Sequence, residues 1–473
     1  MSSLALTALV ASHVIALIAA GHVLLTKRDP RAALGWTVAL VFLPVIGLIV
    51  YLIFGIGRAH SHAEEIMRRY ADISSRYSIE DDTVKPDSLG SPEAQCIANL
   101  GRKLTGLPLC AGNLLTPLHD GDQAYPAMIE AIDSAKNQVF LGSYIFNYGE
   151  VAEKFIKALV AAKNRGVDVR VLVDGVGQLY SWRKPIKILA KKGVRTTLFR
   201  PLRLYPPNFG MNLRSHRKVL ICDDVAFTGG MNIADGNVLA LNPDGKGHIQ
   251  DVQFRCDGPI VGQLRRAFLL NWSFCTNEFT PLPPLDETPH GDCVCRVIVD
   301  GPATVGDALC DLICGAINIA RKSVTIMTPY FLPPPPLTAA LKSAARRGVD
   351  VRVILPGHNN LAYMVWAIDR ILPPLLQAGI RVWHQAPPFA HTKLLAIDGF
   401  YSIIGSANMD SRSLYLNFEL NVEIYSKTFH DRLVAYMNST LARGHETTLA
   451  ELQTLSLAAR LRNSLVWIFS PYL

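Results

Sequence analysis

The chain opens on two long uncharged runs. Residues 4 to 25, LALTALVASHVIALIAAGHVLL, would extend about 33 Å as a helix, close to the hydrocarbon thickness of a bilayer. After TKRDPR comes a second run, Ala32 to Gly57, with Trp36 near one end and Pro44 where a kink would be tolerated. Together they predict a transmembrane helical hairpin over residues 1–58. A cleavable leader fits less well, because the first residues carry no positive charge and no small-x-small site follows the apolar run. His13 and His22 within the first run are read as neutral side chains near a helix partner or an interface, without a role.

Beyond a connector over 59–110 the periodicity becomes that of alternating helices and buried strands, and the pattern repeats. RGVDVRVLVDG at 165–175 returns as RGVDVRVILPG at 347–357, an offset of 182, each copy after an amphipathic helical stretch. Upstream, AIDSAKNQVFLGSYIF parallels AINIARKSVTIMTPYF. HRKVLICD at 216–223 mirrors HTKLLAID at 391–398, offset 175, and TGGMN at 228–232 mirrors IGSAN at 404–408, offset 176. Such constant offsets indicate two duplicated lobes of α/β class, 111–285 and 286–445, each a mixed sheet flanked by helices. The boundary falls in the Pro-rich, polar stretch at 280–292. LPPPPL at 332–337 shapes a loop at a strand end, and NPDGKG at 242–247 is a turn signal. The end of the chain, 446–473, reads as an amphipathic tail that either packs on the core or lies in a membrane interface.

Charge and cysteine usage narrow the partners. The 47 basic and 39 acidic residues leave a net +8, which favours an anionic partner such as a phospholipid surface or nucleic acid. Basic residues flanking the spans tie: Lys27, Arg28 and Arg31 in the loop against Arg58, Arg68 and Arg69 beyond it. Nine cysteines without framework spacing point to a reducing compartment, hence to lobes on the cytoplasmic side. Cys293, Cys295, Cys310 and Cys314 match no common zinc spacing and read as buried thiols, so no metal is expected.

The repeated residues carry chemistry. Residues two apart on a strand share a face, so His216 with Lys218, and His391 with Lys393, present an imidazole and an ammonium together. Asp223 and Asp398 have the opposite parity and fall where the apolar run ends, which suits turn-holding better than direct chemistry. The strand that follows ends in Gly229, Gly230 and Asn232 in one lobe and Gly405, Ser406 and Asn408 in the other. Its small residues would allow a ligand to approach closely, and its amides could donate to an anionic oxygen. Two lobes face to face would pool two histidines, two lysines and two asparagines. That set suits phosphodiester transfer, with one imidazole attacking phosphorus and the other giving its proton to the leaving alkoxide.

These residues resemble the phospholipase D superfamily, whose mark is a pair of H-x-K-x4-D motifs, and more closely the bacterial cardiolipin synthases. Both signature regions and the two spans joined by KRDPR are similar to that family over nearly the whole chain. The resemblance implies a catalytic set of His216, Lys218, Asp223, His391, Lys393 and Asp398, with His216 usually the nucleophile and His391 the acid and base. It implies that Asn232 and Asn408 bind the substrate phosphate, and that Asp251 and Glu419 orient the imidazoles, each in its own lobe or across. It further implies transfer of a phosphatidyl group between two molecules of phosphatidylglycerol, giving cardiolipin and glycerol through a phosphohistidine. No cofactor or nucleic acid is expected, and the implied setting is the bacterial inner membrane. Two positions depart from the family: Ile249 stands where relatives often have tryptophan, and Thr392 where a smaller residue is common. The alternatives are a phospholipase D or a transferase with another donor or acceptor, a nuclease of the superfamily, or a catalytically dead lipid-binding scaffold. The spans disfavour the nuclease, and the complete motifs disfavour the scaffold.

Overall fold

The computed structural model describes the chain except residues 1–2, 28–29, 53–57, 78–83, 203–211, 243–244, 246, 284–287, 302–306 and 471–473. Contacts divide it into two compact units, Met1–Glu65 and Ile66–Leu473. In the first, the apolar runs form α1 (Ser3–Thr26), α2 (Pro30–Phe42) and α3 (Pro44–Val50) around a small core of Ala16, Ala20, Val23, Leu40 and Tyr51. His22 Nδ1 lies 2.7 Å from the Tyr51 hydroxyl, so the histidine is paired within this unit. The second run, expected as one kinked helix, is two, because Pro44 lacks an N–H and its ring crowds the preceding turn, so Leu43 leaves helical geometry. Among the described residues no helix is long and apolar enough to cross a membrane. Side chains along α1 are described only at Thr7 and from Val10 onward, and there Leu17, Ile18, Leu24 and Leu25 are exposed.

From Ile66, within α4 (Arg58–Ser75), the second unit runs through α5 (Pro92–Thr105) into the two lobes. The first lobe supplies β1 (Cys110–His119), β2 (Gln138–Ser143), β3 (Asp168–Asp174), β4 (Arg195–Phe199), β5 (Val219–Cys222), β6 (Val225–Gly229), β7 (Ile249–Gln250) and β8 (Val252–Asp257). Its helices are α6 (Asp120–Ser134), α7 (Glu150–Asn164), α8 (Pro185–Lys191) and α9 (Ile260–Thr276). The second lobe supplies β9 (Cys293–Asp300), β10 (Ser323–Met327), β11 (Phe331–Leu332), β12 (Asp350–Pro356), β13 (Arg381–Gln385), β14 (Phe389–Ala390) and β15 (Leu394–Ile397). After these come β16 (Tyr401–Gly405), β17 (Met409–Asp410), β18 (Glu419–Tyr425) and β19 (His445–Glu446). Its helices are α10 (Ala308–Ile319), α11 (Pro335–Arg346), α12 (Ala362–Leu376), α13 (Ser411–Tyr415) and α14 (Lys427–Leu441), followed by α15 (Leu449–Gln453) and α16 (Leu457–Ile468).

Both lobes feed one 15-stranded sheet, ordered β4-β3-β2-β5-β6-β8-β1 and then β9-β18-β16-β15-β10-β12-β13-β19. Read outward from the β1/β9 seam, the two halves have the same strand sequence and the same mixture of parallel and antiparallel pairs, except that the second half adds the antiparallel edge strand β19. The repeated motifs occupy equivalent places: RGVDVRVLVDG forms β3 and RGVDVRVILPG forms β12, both flanked by strands on either side and buried. Each sheet half is covered on both faces, as a near-continuous apolar strand requires. In β2, Val139 and Leu141 pack with α6 and α7, while Phe140 stacks on Phe268 of α9 at 5.1 Å. The tail packs on the core: α16 lies along α12, with Arg462 over the Trp366 ring at 4.2 Å and Arg370 over that of Trp467 at 5.4 Å. Leu457, Leu461 and Leu465 stay exposed on its other side.

Near the seam, in adjacent strands β9 and β18, Arg296 and Glu423 form an ion pair with neither side chain exposed. Arg296 Nη2 also donates to the Ala98 carbonyl of α5 at 2.9 Å, and Glu423 Oε2 accepts from the hydroxyls of Tyr401 at 3.0 Å and Tyr425 at 2.9 Å. A pair this buried is tolerable because every charge is answered, and deleting one partner strands the other. Glu423→Ala is therefore expected to remove about 3–5 kcal/mol of stability, read as a clear fall in the unfolding midpoint of the full-length protein.

Candidate active site

Each histidine follows a short extended segment that crosses to the other lobe. β14 pairs in parallel with β7, and His391 N donates to the Gln250 carbonyl at 2.7 Å. The mirror arrangement bridges Ser215 to Phe418, and His216 N donates to the Phe418 carbonyl at 2.9 Å. Gln250 and Phe418 immediately precede Asp251 and Glu419, so the backbone register delivers each carboxylate to the opposite lobe's imidazole. His391 Nδ1 lies 3.0 Å from Asp251 Oδ2, and His216 Nδ1 lies 3.0 Å from Glu419 Oε2. Both carboxylates are fully buried and both rings are about an eighth exposed. With Nδ1 occupied in this way, Nε2 is the nitrogen left for chemistry.

The lysines lie beside the imidazoles. Lys218 Nζ donates to the His216 carbonyl at 2.7 Å, and Lys393 Nζ lies 3.0 Å from His391 Nδ1 and 3.1 Å from its Nε2. Burial lowers Lys218 to about 7 and Lys393 to about 8, with Asp251 and Glu419 pulling back upward. Burial, reinforced by Lys393, lowers His391 to about 3 against the pull of Asp251, and burial likewise lowers His216. Burial resists ionisation of Asp251 and Glu419, but the hydrogen bonds and charges of His391 and His216 more than offset it and hold both carboxyls below their usual range.

The other expected residues fall into different places. Asp223 and Asp398 lie at the far ends of β5 and β15 from the histidines, both at positive φ. Asp223 accepts from the amides of Lys136, Asn137 and Gln138 at 2.7, 3.0 and 2.8 Å, and Asp398 from those of Arg321, Lys322 and Ser323 at 2.6, 2.8 and 2.8 Å. Their oxygens hold the starts of β2 and β10. Asn232 Oδ1 accepts from Ile145 N at 3.1 Å, whereas Asn408 is buried and its Oδ1 has no hydrogen-bond partner. Ile249 lies in the lobe-to-lobe pair with Phe389, and Thr392 is buried.

The small residues serve the protein's own packing. Gly229 and Gly405 have φ near 155°, and a Cβ at either would fall within 2.8 Å of the neighbouring strand's carbonyl. At the next position the lobes differ. A Cβ on Gly230 would lie 2.8 Å from both Asp251 oxygens, whereas Ser406 Oγ donates to Glu419 Oε2 at 2.5 Å.

Three residues passed over in the sequence complete the surroundings. The Tyr144 ring meets His216 edge-on at 5.1 Å, and Tyr330 meets His391 at 6.4 Å. Both stand at matching places in the repeated SYIF and PYF segments, which was the available signal. Arg217, between His216 and Lys218, is buried and donates from Nε to the Glu419 carbonyl at 3.0 Å and from Nη1 to Tyr70 and Asn271 at 2.6 and 2.8 Å. An arginine next to an apolar strand, itself buried, is a sign of a buried polar network.

Two equivalent α/β lobes whose histidine motifs meet across a shared centre define a phospholipase D-like protein. The chain belongs to the family described as cardiolipin synthase, PLD-like domain, whose model matches residues 128–254 and 313–441. A second model, phospholipase D-nuclease N-terminal, matches residues 14–55. The chain is 30% identical over 470 residues to cardiolipin synthase A of Pseudomonas entomophila, covering 98% of this chain and 97% of that one. It is 30% identical over 458 residues to the major cardiolipin synthase ClsA of Bacillus subtilis, covering 94% and 95%. Among solved structures, the phosphatidylserine synthase of Haemophilus influenzae superposes with a TM-score of 0.62 at 14% identity, over 80% of this chain and 97% of that one, which shows the shared fold.

The crosswise pairs predict that neutralising either carboxylate is costly. Asp251→Asn and Glu419→Gln should each lower kcat about 10²- to 10⁴-fold through loss of the oriented imidazole, with an unchanged circular dichroism spectrum. Asp398→Asn should instead lower the unfolding midpoint while leaving kcat per folded molecule within about threefold.

Proposed function

We propose that this protein is a cardiolipin synthase, transferring the phosphatidyl group of one phosphatidylglycerol to the glycerol hydroxyl of another and releasing glycerol. The observation that carries this reading is the pair of imidazoles, each held at Nδ1 by the other lobe's buried carboxylate and flanked by a lysine. In the first step His216 Nε2 attacks phosphorus, the bond to the glycerol headgroup oxygen breaks, and His391 gives a proton to that oxygen. In the second, His391 takes the proton of the incoming hydroxyl, whose oxygen attacks phosphorus, and the phosphorus–nitrogen bond breaks to restore His216. Lys218, Lys393, Asn232 and Asn408 surround the phosphoryl oxygens. Exchange of one phosphodiester for another needs no added energy source.

Charge balance gives the substrate a part in its own activation. With both lysines protonated, on the acid side of about pH 7, two ammonium groups and two carboxylates cancel, and burial disfavours charge on the imidazoles. An arriving phosphodiester adds one negative charge to this low-dielectric centre, which favours a proton on the acid imidazole. The apolar exterior of α1 and the match of the N-terminal model to residues 14–55 support residues 1–58 as a membrane-spanning hairpin in the bacterial inner membrane. Free thiols at all nine cysteines support lobes on the cytoplasmic side.

Expression in cells lacking any cardiolipin synthase should yield cardiolipin with the wild type and none with His216→Ala or His391→Ala. Phosphatidic acid in its place would assign the protein to the phospholipases. Because the phosphate-facing lysines titrate at about 7 and about 8 in the free protein, kcat/KM should fall as pH rises through that range, which a pH profile of transfer by the reconstituted protein measures.

A further inference from the structure

We infer that the loop after β3, Leu179 to Trp182, is a membrane-docking rim that seats the first lobe's side of the active site on an anionic lipid surface. The inference rests on the phospholipid reading of the site. Leu179, Tyr180 and Trp182 are 56%, 63% and 98% exposed, in a segment whose backbone is firmly held. Ser181 between them is buried, its Oγ accepting from Tyr148 N at 2.8 Å, and Lys184 Nζ donates to the Gln178 carbonyl at 2.8 Å. An indole held out in water on a fixed support is unfavourable unless something apolar receives it, and tryptophan and tyrosine favour the headgroup region of a bilayer.

Two further observations select the occupant. The rim connects to the chemistry through neighbouring rings, Tyr180 tilted against Tyr144 at 6.4 Å and Tyr144 edge-on to His216 at 5.1 Å. The chain around the rim is basic: residues 175 to 222 hold eleven basic residues and no acidic one, whereas the equivalent 357 to 397 hold Arg370, Arg381 and Lys393 together with Asp369. Arg214, Arg217 and Lys218 are buried and Arg195 pairs with Asp168 and Glu278, while Arg183 is exposed. Lys187, Lys191 and Lys192, on and just after α8 and five to ten residues along the chain from Trp182, are exposed too. Aromatic and aliphatic side chains at the tip with lysines following in the chain match an anionic bilayer, where rings insert and ammonium groups meet phosphates. Nucleic acid would use the charge and the rings but not Leu179.

The test uses full-length protein in phosphatidylcholine vesicles carrying either long-chain phosphatidylglycerol or a short-chain, water-soluble form. Leu179→Ser/Trp182→Ser should lower kcat/KM on the long-chain lipid about tenfold, mainly through KM, with less than about twofold change on the short-chain lipid. Equal effects on both lipids, or no effect on either, would overturn the inference. A readout free of activity is quenching by brominated acyl chains of the emission that Trp182→Phe removes: quenching that strengthens with anionic lipid supports docking, and its absence overturns it even if the enzyme is active. Conversely, quenching without any transfer by the wild type would leave the rim intact and refute the transferase reading. Oligonucleotide binding abolished by Trp182→Ser, with vesicle activity retained, would assign the surface to nucleic acid instead.

Discussion

The structure depends on a pair of crossed contacts in which the histidine of each lobe is held by backbone and carboxylate of the other. The backbone bonds from His216 N to Phe418 and from His391 N to Gln250 come first in logic, because they fix the register that brings Glu419 and Asp251 to the rings. Neither lobe alone presents an oriented imidazole. Duplication is thus a condition of the chemistry, and the continuous sheet through β1 and β9, with the Arg296–Glu423 pair beside it, supplies the rigidity that a 3.0 Å contact between lobes requires.

Burial decides the electrostatics. The same desolvation that lowers both lysines and both histidines would also neutralise the carboxylates, were these not bonded to the rings. The result is a centre in which two buried carboxylates face two buried lysines and two imidazoles. Arg217, anchoring the Glu419 carbonyl while tied to Tyr70 and Asn271, extends that order into the surrounding helices.

Much of this was legible in the chain because duplication writes its own alignment. Constant offsets of 175 to 182 located equivalent strands, and side-chain parity separated the His–Lys pairs from Asp223 and Asp398, which the structure places on backbone amides. Which carboxylate meets which ring was not legible, since it depends on two short parallel bridges between segments about 140 and 200 residues apart, and pairing across space leaves no periodic trace. Tyr144 and Tyr330 sat at matching places inside the repeat, but nothing in the sequence pattern set them against the histidines. The glycines were expected to make room for a ligand, and their neighbours are the protein's own strands and the Asp251 carboxylate. At Pro44 the tolerance for a kink gave way to a break between helices.

The unlike pair Gly230 and Ser406 carries an evolutionary consequence. A tandem duplication begins with interchangeable halves, and any exchange between copies keeps them so. Here a serine in the first half would press on Asp251, and a glycine in the second would remove a hydroxyl that Glu419 uses. Once these substitutions were in place, copying either half over the other would have damaged the centre. On these contacts the two descendants of one ancestral lobe can no longer replace each other at this position.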